Sequence, residues 1–376
     1  MKNLNYILSF IMGLLAFSSC ESDRESNPTL ETPTEFVLNT PRYASGEYNL
    51  KEANTVLLTC SQPNYGYSAP VVYSVQVATK ADFSDFTTLP TTYTMARMEV
   101  PAIELARAIV PLLGIEYEKD FPTTDFPVYI RLSASIPNAP NGYTALSNVI
   151  TLPKVLSYFA LDPLVMPENM YAIGDFASWD WSKSFSMIPV NGTAGKFWAL
   201  LWCEKDKGMK FNAAKAWDNN QFGVADNVTI NGISYTASSD KSIVFGETGW
   251  RLVVLTTNIV GRSYTYTLDF LAPNVYIFGA ANGGIWSADD NWKFTVPTTS
   301  DGEFVSPALA ADCDGSDAAN LRMCVVIPST DWWRSEFIVL DGKIAYRANG
   351  GDQTRVGCKA GQKVHLNILA GTGSIK

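Results

Sequence analysis

Histidine is almost absent from this sequence: His365 is the single histidine among 376 residues. The common zinc sites, Ser-His-Asp triads and Cys-His dyads all use histidine as a ligand or a base. The composition therefore argues against most enzymes built on those groups. Charged residues are also scarce at 17%, and the net charge is −9 without a run of like charges. A surface that binds nucleic acid or an anionic membrane is consequently not expected.

Apolar and aromatic residues, in contrast, are abundant at 47% and 12% of the chain. A chain of this composition buries apolar cores and is not disordered. Its length predicts two or three domains.

The N-terminus has the pattern of an export signal and a lipid anchor. Lys2, the apolar run 6–17 and the small residues after it predict a signal peptide over residues 1–19. The run is too short to span a bilayer. Cys20 follows Phe-Ser-Ser, as in a lipobox, which predicts lipidation of its thiol, and polar residues 20–34 predict a lipidated tether. A lipidated terminus would hold the protein on a membrane without spanning it.

Residues 35–153 have the pattern of one β-sandwich domain. Apolar and polar residues alternate in runs such as 71–77 and 128–132, which predict strands with one buried face. One stretch, 102–113, has helical spacing instead and is expected to cap one end of the sandwich. The size and pattern favour an immunoglobulin-like N-terminal domain.

The rest of the chain contains two copies of one unit. Tyr171–Gly174 recurs 105 residues later as Tyr276–Gly279, and a tryptophan stands seven residues after each glycine. The copies cover residues 160–271 and 272–376, and each is predicted to form its own β-sandwich, which makes the fold all-β with three tandem sandwiches. The matching positions are Trp181 and Trp286, Lys210 and Arg322, and Trp217 and Trp332.

Each copy also contains a dipeptide that favours a type I′ turn. Asn231-Gly232 and Asp341-Gly342 are each flanked by short runs that alternate in polarity. Asn-Gly and Asp-Gly are the preferred sequences of two-residue β-hairpin loops. A hairpin is therefore predicted at both places.

All ten tryptophans lie after residue 170, within the repeated units. An indole covers the apolar face of a pyranose ring, while polar side chains bond the hydroxyl groups around its rim. Four tryptophans lie in polar, turn-like surroundings and are predicted platforms for sugar rings, whereas Trp198, Trp202 and Trp250 lie in apolar runs and are predicted packing residues. The four are Trp181, Trp217, Trp286 and Trp332.

Five cysteines besides Cys20 remain, so at least one is unpaired within a monomer. Buried free thiols are the favoured interpretation for Cys60, Cys203 and Cys324. A disulfide between Cys313 and Cys324 is the alternative.

The chain resembles the SusE/SusF-type outer-membrane starch-binding lipoproteins of Bacteroidota. The resemblance rests on Cys20 with its acidic follow-on, the run 73–78, the two units with Tyr-x-x-Gly and tryptophan, and the C-terminal run 360–373. It implies a non-catalytic surface protein without a cofactor, anchored in the outer membrane beside a SusC-like TonB-dependent transporter and a SusD-like lipoprotein.

In that family each C-terminal carbohydrate-binding module holds α-1,4-glucan with two aromatic platforms and a basic hydrogen-bond donor. Carried over by position, the first module would use Trp181, Lys210 and Trp217, with Trp179 as an alternative platform. The second module would use Arg322, Trp332 and either Trp286 or Trp292.

Three other interpretations remain open. A glycoside hydrolase needs two carboxylates, and several aspartates lie near the tryptophan loops. A surface adhesin would bind other proteins through the same sandwiches. The aspartates of residues 312–317 suit calcium, but the full EF-hand pattern is missing and a polar turn is the simpler interpretation.

Overall fold

The computed structural model describes residues 30–137 and 143–376, which fall into two compact units, 1–163 and 164–376. The predicted signal peptide, the lipidation site Cys20 and the first part of the tether lie outside the described residues. Within the described part of the chain, no helix is both long and apolar enough to cross a bilayer.

In its described residues, 30–137 and 143–163, the first unit contains two sheets and one α-helix. The smaller sheet has the strand order β1-β3-β6, and the larger has the order β2-β9-β7-β4-β5 with β8 paired to β7. The elements are β1 (Leu38–Asn39), β2 (Glu47–Asn49), β3 (Thr55–Cys60), β4 (Val72–Ala78), β5 (Thr87–Tyr93), β6 (Arg97–Pro101), α1 (Ala102–Leu112), a 3-10 helix (Glu118–Asp120), β7 (Phe126–Ser135), β8 (Thr144–Leu146) and β9 (Ile150–Leu156).

The apolar alternation in the first unit predicts its core correctly. Val128, Ile130 and Leu132 of β7 are buried, and the residues between them are only half-buried. They share one core with residues of β3 and β6, so the two sheets pack face to face. The helix α1 is confirmed within one residue of its predicted end, and Leu105 and Ile109 pack it into the same core.

The second unit is also almost entirely β. Its strands are β10 (Tyr171–Gly174), β11 (Phe185–Ser186), β12 (Ile188–Pro189), β13 (Lys196–Cys203), β14 (Gly208–Asn212), β15 (Val228–Asn231), β16 (Tyr235–Ala237), β17 (Ile243–Phe245), β18 (Gly249–Val260), β19 (Ser263–Leu271), β20 (Val275–Phe278), β21 (Phe304–Val305), β22 (Arg322–Val325), β23 (Glu336–Leu340), β24 (Lys343–Tyr346), β25 (Val364–Asn367) and β26 (Thr372–Ile375). Its 3-10 helices are Asp175–Ala177, Trp181–Lys183, Ala280–Asn282, Asp290–Trp292 and Trp332–Ser335.

Three sheets form successive layers of the second unit. The first repeat has an outer sheet, β11-β10-β14-β17-β16, and a middle sheet, β12-β13-β18-β19-β15. The second repeat has one seven-stranded sheet, β20-β22-β23-β24-β26-β25-β21. The middle sheet packs against the outer sheet through Phe197 and Leu255, and against the second repeat through Trp198 and Trp250.

The middle sheet explains the apolar run of β13, in which five consecutive residues are buried. A strand with both faces covered is apolar throughout instead of alternating. Trp198 lies 5.5 Å from Tyr346 and 6.2 Å from Phe337, measured between ring centroids, so its predicted packing role is confirmed. The all-β sandwich fold is confirmed as well, and the two C-terminal repeats pack against each other through this shared core.

One of the two predicted hairpins is present. β23 and β24 pair around Asp341 and Gly342, whose φ angles of 50° and 76° suit a type I′ turn. The hairpin predicted at Asn231-Gly232 is wrong, because β15 pairs in parallel with β19 while β16 pairs with β17. Asn231 Nδ2 donates to Asp269 Oδ1 at 2.9 Å, which ties β15 to the middle sheet as the chain crosses to the outer one.

The five cysteines in the described part of the chain are buried free thiols, as predicted for Cys60, Cys203 and Cys324. The alternative pairing of Cys313 with Cys324 is wrong. Cys313 lies opposite Cys358, with backbone hydrogen bonds of 2.9 Å in both directions, whereas Cys324 belongs to a different cluster.

Candidate functional site

The two repeats place their basic residues at the same position in the sheet. Lys210 on β14 pairs with Ile173 on β10. Arg322 on β22 pairs with Phe278 on β20. The repeat alignment read from the sequence is therefore reproduced by strand register. In both repeats the basic side chain shares the sheet's outer face with a small aromatic cluster.

In the first repeat two indoles lie close together near this face, and we call them the first aromatic pair. Trp217 is 52% exposed, and Trp179 is half-buried beside it. Their ring centroids are 6.3 Å apart and their planes are inclined by 34°. Trp179 lies over Gly208, where a Cβ would be 3.1 Å from the indole.

Trp181 lies beneath this pair. The side chain is 7% exposed, so its predicted exposure is wrong. It packs with Ile173, and its ring meets Trp217 edge-on at 5.1 Å between centroids. The carboxylate of Asp180 caps the 3-10 helix Trp181–Lys183 by accepting from the Ser182 amide. Trp181 therefore supports Trp217 from below, and Trp179 is the second open ring.

An unusual backbone presents Trp179. Ser178 and Trp179 have φ angles of 52° and 58°, a region that non-glycine residues seldom occupy. The Trp179 amide bonds the Gly174 carbonyl at 3.1 Å, and the Asp175 carboxylate accepts from the Gly208 amide at 2.6 Å. Two adjacent strained residues cost about 1–3 kcal/mol each, and such strain concentrates at functional sites.

The loop that carries Trp217 is held by side-chain hydrogen bonds. Asn212, at the end of β14, donates to the Ala216 carbonyl at 2.8 Å and to Asp218 at 2.9 Å. Asp218 also accepts from the Asn220 amide at 3.0 Å. The half-exposed Trp217 is thus fixed on both sides, which limits the entropy it would lose when a ligand binds.

The second repeat has an equivalent arrangement, the second aromatic pair. Trp286 is 54% exposed and lies 5.3 Å from Trp332, with the ring planes inclined by 45°. Trp332 stacks on Phe278 at 5.7 Å between centroids. Trp286 covers Gly279, where φ is 83° and a Cβ would be 2.8 Å from the indole. Only glycine permits this approach at this backbone angle.

Trp292 occupies a different place. It ends the 3-10 helix Asp290–Trp292, whose first turn is capped by Asp289, and its half-buried ring packs against the core shared by the repeats. Trp286, not Trp292, is the ring that contacts Trp332. Of the two alternatives that the sequence left open for the second repeat, the geometry favours Trp286.

Lys210 is mostly buried, and Asp240 is its ionic partner. Its Nζ lies 3.2 Å from Asp240 Oδ2, and 10% of its side chain is exposed. A hydrogen bond from Ser238, together with Lys210 and Ser242, holds the pKa of the Asp240 carboxyl well below its usual range. The ammonium group has three donors, so an ion pair with a single carboxylate leaves it able to bond a ligand as well.

Arg322 lies in a denser network. Its Nη1 contacts the buried Glu336 and also Asp352, the latter at 3.2 Å. Its Nε donates to Asn320 at 2.6 Å. Glu336 is completely buried and pairs with Arg347 as well, at 3.3 Å. These contacts fix the guanidinium plane and leave Nη2 outside the bonds just described.

A third arginine extends this network. Arg355 binds Asp352 at 2.7 Å and Asp317 at 2.6 Å. Hydrogen bonds from Arg355, and then from Arg322, hold the pKa of Asp352 well below its usual range. The basic residue of the second repeat is therefore enclosed by charge on several sides.

Within the described part of the chain, no group of three or more potential metal ligands is gathered in one place. Each aspartate near the tryptophan loops, and each in the run 312–317, instead has a nearby partner. The pairs are Asp175 with Gly208, Asp180 with Ser182, Asp218 with Asn212, Asp289 with Asn291, Asp290 with Tyr276, Asp331 with Arg334, Asp312 with Lys359, Asp314 with Ser316 and Asp317 with Arg355.

Comparison with known proteins gives two family matches. A model described as SusF/SusE starch specific CBMs matches residues 169–267 and 274–374, and one described as SusE outer membrane protein matches residues 22–133.

Outer membrane protein SusF of Bacteroides thetaiotaomicron is 37% identical over 222 residues, which are 56% of this chain and 44% of that protein. The matched region thus spans less than half of that relative. The crystal structure of SusF from Bacteroides thetaiotaomicron aligns with 91% of this chain and 100% of its own, at 21% identity and a TM-score of 0.45. Since the module family alone matches more than half of the chain, and does so once in each repeat, the protein belongs to the SusF/SusE family.

Proposed function

We propose that this protein is a non-catalytic glycan-binding lipoprotein that holds α-1,4-glucan chains, such as starch or malto-oligosaccharides, at the cell surface. The observation that carries the proposal is the repetition of one arrangement. Each repeat has a half-exposed indole, Trp217 or Trp286, beside a second indole. Each also has a basic residue at the same strand register. Membership of a family described as starch specific supports the same ligand class.

The inclination of each aromatic pair supports an α-linked chain. Stacking places the C–H face of a pyranose on an indole, so two indoles in one site accept two sugar rings. The ring planes differ by 34° in the first pair and 45° in the second. Successive glucoses of an α-1,4 chain turn relative to one another, whereas those of a β-1,4 chain lie nearly flat. Inclined platforms therefore suit the α-linked polymer.

The basic residues would complete each site by hydrogen bonding. In our proposal Lys210 Nζ and Arg322 Nη2 donate to glucose hydroxyl groups while the indoles cover the ring faces. Both residues are only 8% exposed, and polar bonds in such partly dry surroundings discriminate strongly between ligands.

Two sites on one compact unit would act together on a long polymer. A shallow site that stacks on two sugars binds with a dissociation constant of roughly micromolar to millimolar, about −4 to −8 kcal/mol. Two linked sites on one chain raise the overall affinity by roughly 10²–10⁴ without any new contact. Avidity would therefore matter more than the affinity of either site.

The proposed location is the outer membrane, with lipidated Cys20 as the anchor. The family model described as SusE outer membrane protein, which matches residues 22–133, supports this location. A SusC-like transporter and a SusD-like lipoprotein are the proposed partners. Loss of acyl labelling in a Cys20→Ala variant, with release of the protein from the membrane fraction, would test the anchor.

Calorimetry with maltoheptaose tests the binding function on the full mature chain without its lipid. We expect two sites per chain. Trp217→Ala and Trp332→Ala should each leave one site, and the double variant should leave none. Tyr235→Ala is the matched control, because Tyr235 is an aromatic residue 37% exposed on β16 outside both pairs.

Three outcomes would contradict the proposal. If the tryptophan variants bind maltoheptaose with unchanged stoichiometry, the aromatic pairs do not form the binding sites. Shortened oligosaccharides after incubation would instead indicate a hydrolase. Failure of every soluble polysaccharide to bind would favour a surface adhesin.

A further inference from the structure

A groove of about 970 Å³ lies in the first repeat, beside the loop that carries Trp217. We call it the side groove. Asp218, Asn219 and Asn220 line it, so residues directly after Trp217 face it. Lys210 and its partner Asp240 line it as well. The side groove therefore adjoins the loop that carries Trp217 and includes the basic residue of the first repeat, Lys210.

The chemistry of the side groove suits a polyhydroxylated ligand. Five amide side chains line it: Asn212, Asn219, Asn220, Gln221 and Asn227. Among the described residues, the buried Gln221 Oε1 accepts no hydrogen bond. No donor in the described part of the chain uses this oxygen, and Gln221 belongs to the groove lining. Uncharged amides can both donate to and accept from sugar hydroxyl groups.

Aromatic rings supply the apolar part of the lining. Phe222 and Tyr266 stack with centroids 3.7 Å apart and planes 12° from parallel. Tyr264 lies 6.3 Å from Tyr266, and its hydroxyl donates to the Val165 carbonyl at 2.7 Å. The lining thus combines rigid rings with amides, the combination typical of small-molecule sites.

The charge of the side groove disfavours an anion. Lys210 and Lys241 line it together with Glu168, Asp218 and Asp240, which leaves an excess of one negative charge. A phosphorylated or carboxylated ligand would meet that excess and the Lys210–Asp240 pair, whereas a neutral sugar would not.

The second repeat differs at the corresponding basic residue. Arg322 is enclosed by Glu336, Asp352 and, through them, Arg347. Where the first repeat has open volume beside its lysine, the second has an ionic network.

On the basis of the glycan-binding function proposed above, we propose that the side groove extends the first site and binds further neutral hexose units of the same chain. A glucan chain would run from Trp179 and Trp217 past Lys210 and along the amides. The first site would therefore gain affinity with chain length, and the second site would gain less.

Two matched single-site proteins test this in the full mature chain. Trp286→Ala leaves the first site, and Trp217→Ala leaves the second. Each is titrated with maltotriose and with maltoheptaose, and the ratio of the two affinities is compared. A longer oligosaccharide offers more positions at which a site can bind, which raises its apparent affinity. This increase is the same for both proteins, so it cancels when the two ratios are compared. We expect the ratio to be about tenfold larger for the first site.

Groove variants then locate the extra affinity. In the protein that keeps the first site, Gln221→Leu should remove the excess ratio while leaving maltotriose affinity within twofold. Asn220 is exposed, and Asn220→Ala should reduce the excess affinity ratio by a smaller amount. If Gln221→Leu lowers the thermal midpoint of unfolding, the affinity ratio of Asn220→Ala is used instead to test the side groove.

The side-groove proposal is wrong if the two single-site proteins have equal affinity ratios, or if both groove variants retain the excess ratio. Either result would leave the proposed glycan-binding function intact. If neither single-site protein binds either oligosaccharide, the proposed function fails and the side groove fails with it.

Discussion

The two repeats use the same strand register for a basic residue but surround it with different electrostatics. Lys210 has one carboxylate partner, Asp240, which is itself 62% exposed. Arg322 has the completely buried Glu336 as well as Asp352. Both repeats thus have a pair of inclined indoles, while the environment of the basic residue differs between them.

This difference suggests a division between structure and binding. A lysine with one exposed partner can turn its ammonium group toward a ligand at little cost. An arginine held through Nε and Nη1 is preorganised, but it also neutralises a buried charge. We expect the second repeat to depend on its basic residue for folding, and the first to depend on it mainly for binding.

The first prediction, with the largest expected change in the free energy of unfolding, concerns the core that the two repeats share. It tests whether the repeats fold as independent units. Trp198→Ala removes the indole that packs the middle sheet against Tyr346 and Phe337 of the second repeat. We expect a loss of about 3–5 kcal/mol in the free energy of unfolding. Tryptophan fluorescence in a denaturant titration measures it, because all ten tryptophans lie after residue 170.

Trp198→Phe is the matched control for that change. It keeps a ring in the shared core and removes an indole nitrogen that is buried without a hydrogen-bond partner among the described residues. We expect a clearly smaller loss than for the alanine. Two separate unfolding transitions, with only one of them shifted by Trp198→Ala, would show that the repeats are independent after all.

The second prediction concerns the buried carboxylate of the second repeat. Glu336→Gln leaves Arg322 and Arg347 without their buried counter-charge, which should cost about 3 kcal/mol in the free energy of unfolding. Asp240→Asn in the first repeat removes an exposed partner and should cost less than about 1 kcal/mol. Denaturant titrations of both variants give the comparison directly, and equal losses would remove the proposed difference between the repeats.

The sequence predicts those parts of the fold and of the candidate site that depend mainly on residues close together in the chain. Period-two alternation gives the buried face of β7, and Asp341-Gly342 gives a hairpin because the strands on either side of it pair with each other. The same signal at Asn231-Gly232 fails because β15 and β16 pair with other strands. The repeat pattern likewise predicts the shared register of Lys210 and Arg322.

Features set by distant parts of the chain are not predictable in this way. The apolar run of β13 indicates burial but does not say that a second repeat covers one face. The same limit applies to Trp179 and Trp181, two residues apart in one polar loop. Which indole is open depends on the left-handed backbone at Ser178, and the sequence gives only the presence of two candidates.

A reciprocal exchange of the basic residues is the third prediction. Arg322→Lys cannot reproduce the bonds of Nε and Nη1 together, so we expect a loss of about 1–3 kcal/mol in stability. Lys210→Arg should change stability by less than about 1 kcal/mol, because its partner is exposed. Unfolding and calorimetric stoichiometry are measured on both variants; a destabilised Lys210→Arg with an unaffected Arg322→Lys would reverse the assignment.

The smallest expected effect is the acid dependence of the two carboxylates. Folding lowers the pKa of Asp240, chiefly through the Ser238 hydroxyl, and that of Asp352, chiefly through Arg355. Because the folded pKa lies below the unfolded value of 3.8, each group stabilises the fold above that pH. The contribution is lost progressively as the pH falls toward the folded pKa.

Both side chains are more than half exposed, so solvent screening should keep each contribution below about 1 kcal/mol. Denaturant titrations at about pH 6 and about pH 3 should show a smaller acid-induced loss in Asp240→Asn and Asp352→Asn than in the parent. The two reductions should be similar, because folding lowers both pKa values well below 3.8 although Asp352 contacts three arginines and Asp240 contacts one lysine. A clearly larger reduction for Asp352→Asn would mean that the denser network of the second repeat also acts at its exposed carboxylate, and that the difference between the repeats does not lie in Glu336 alone.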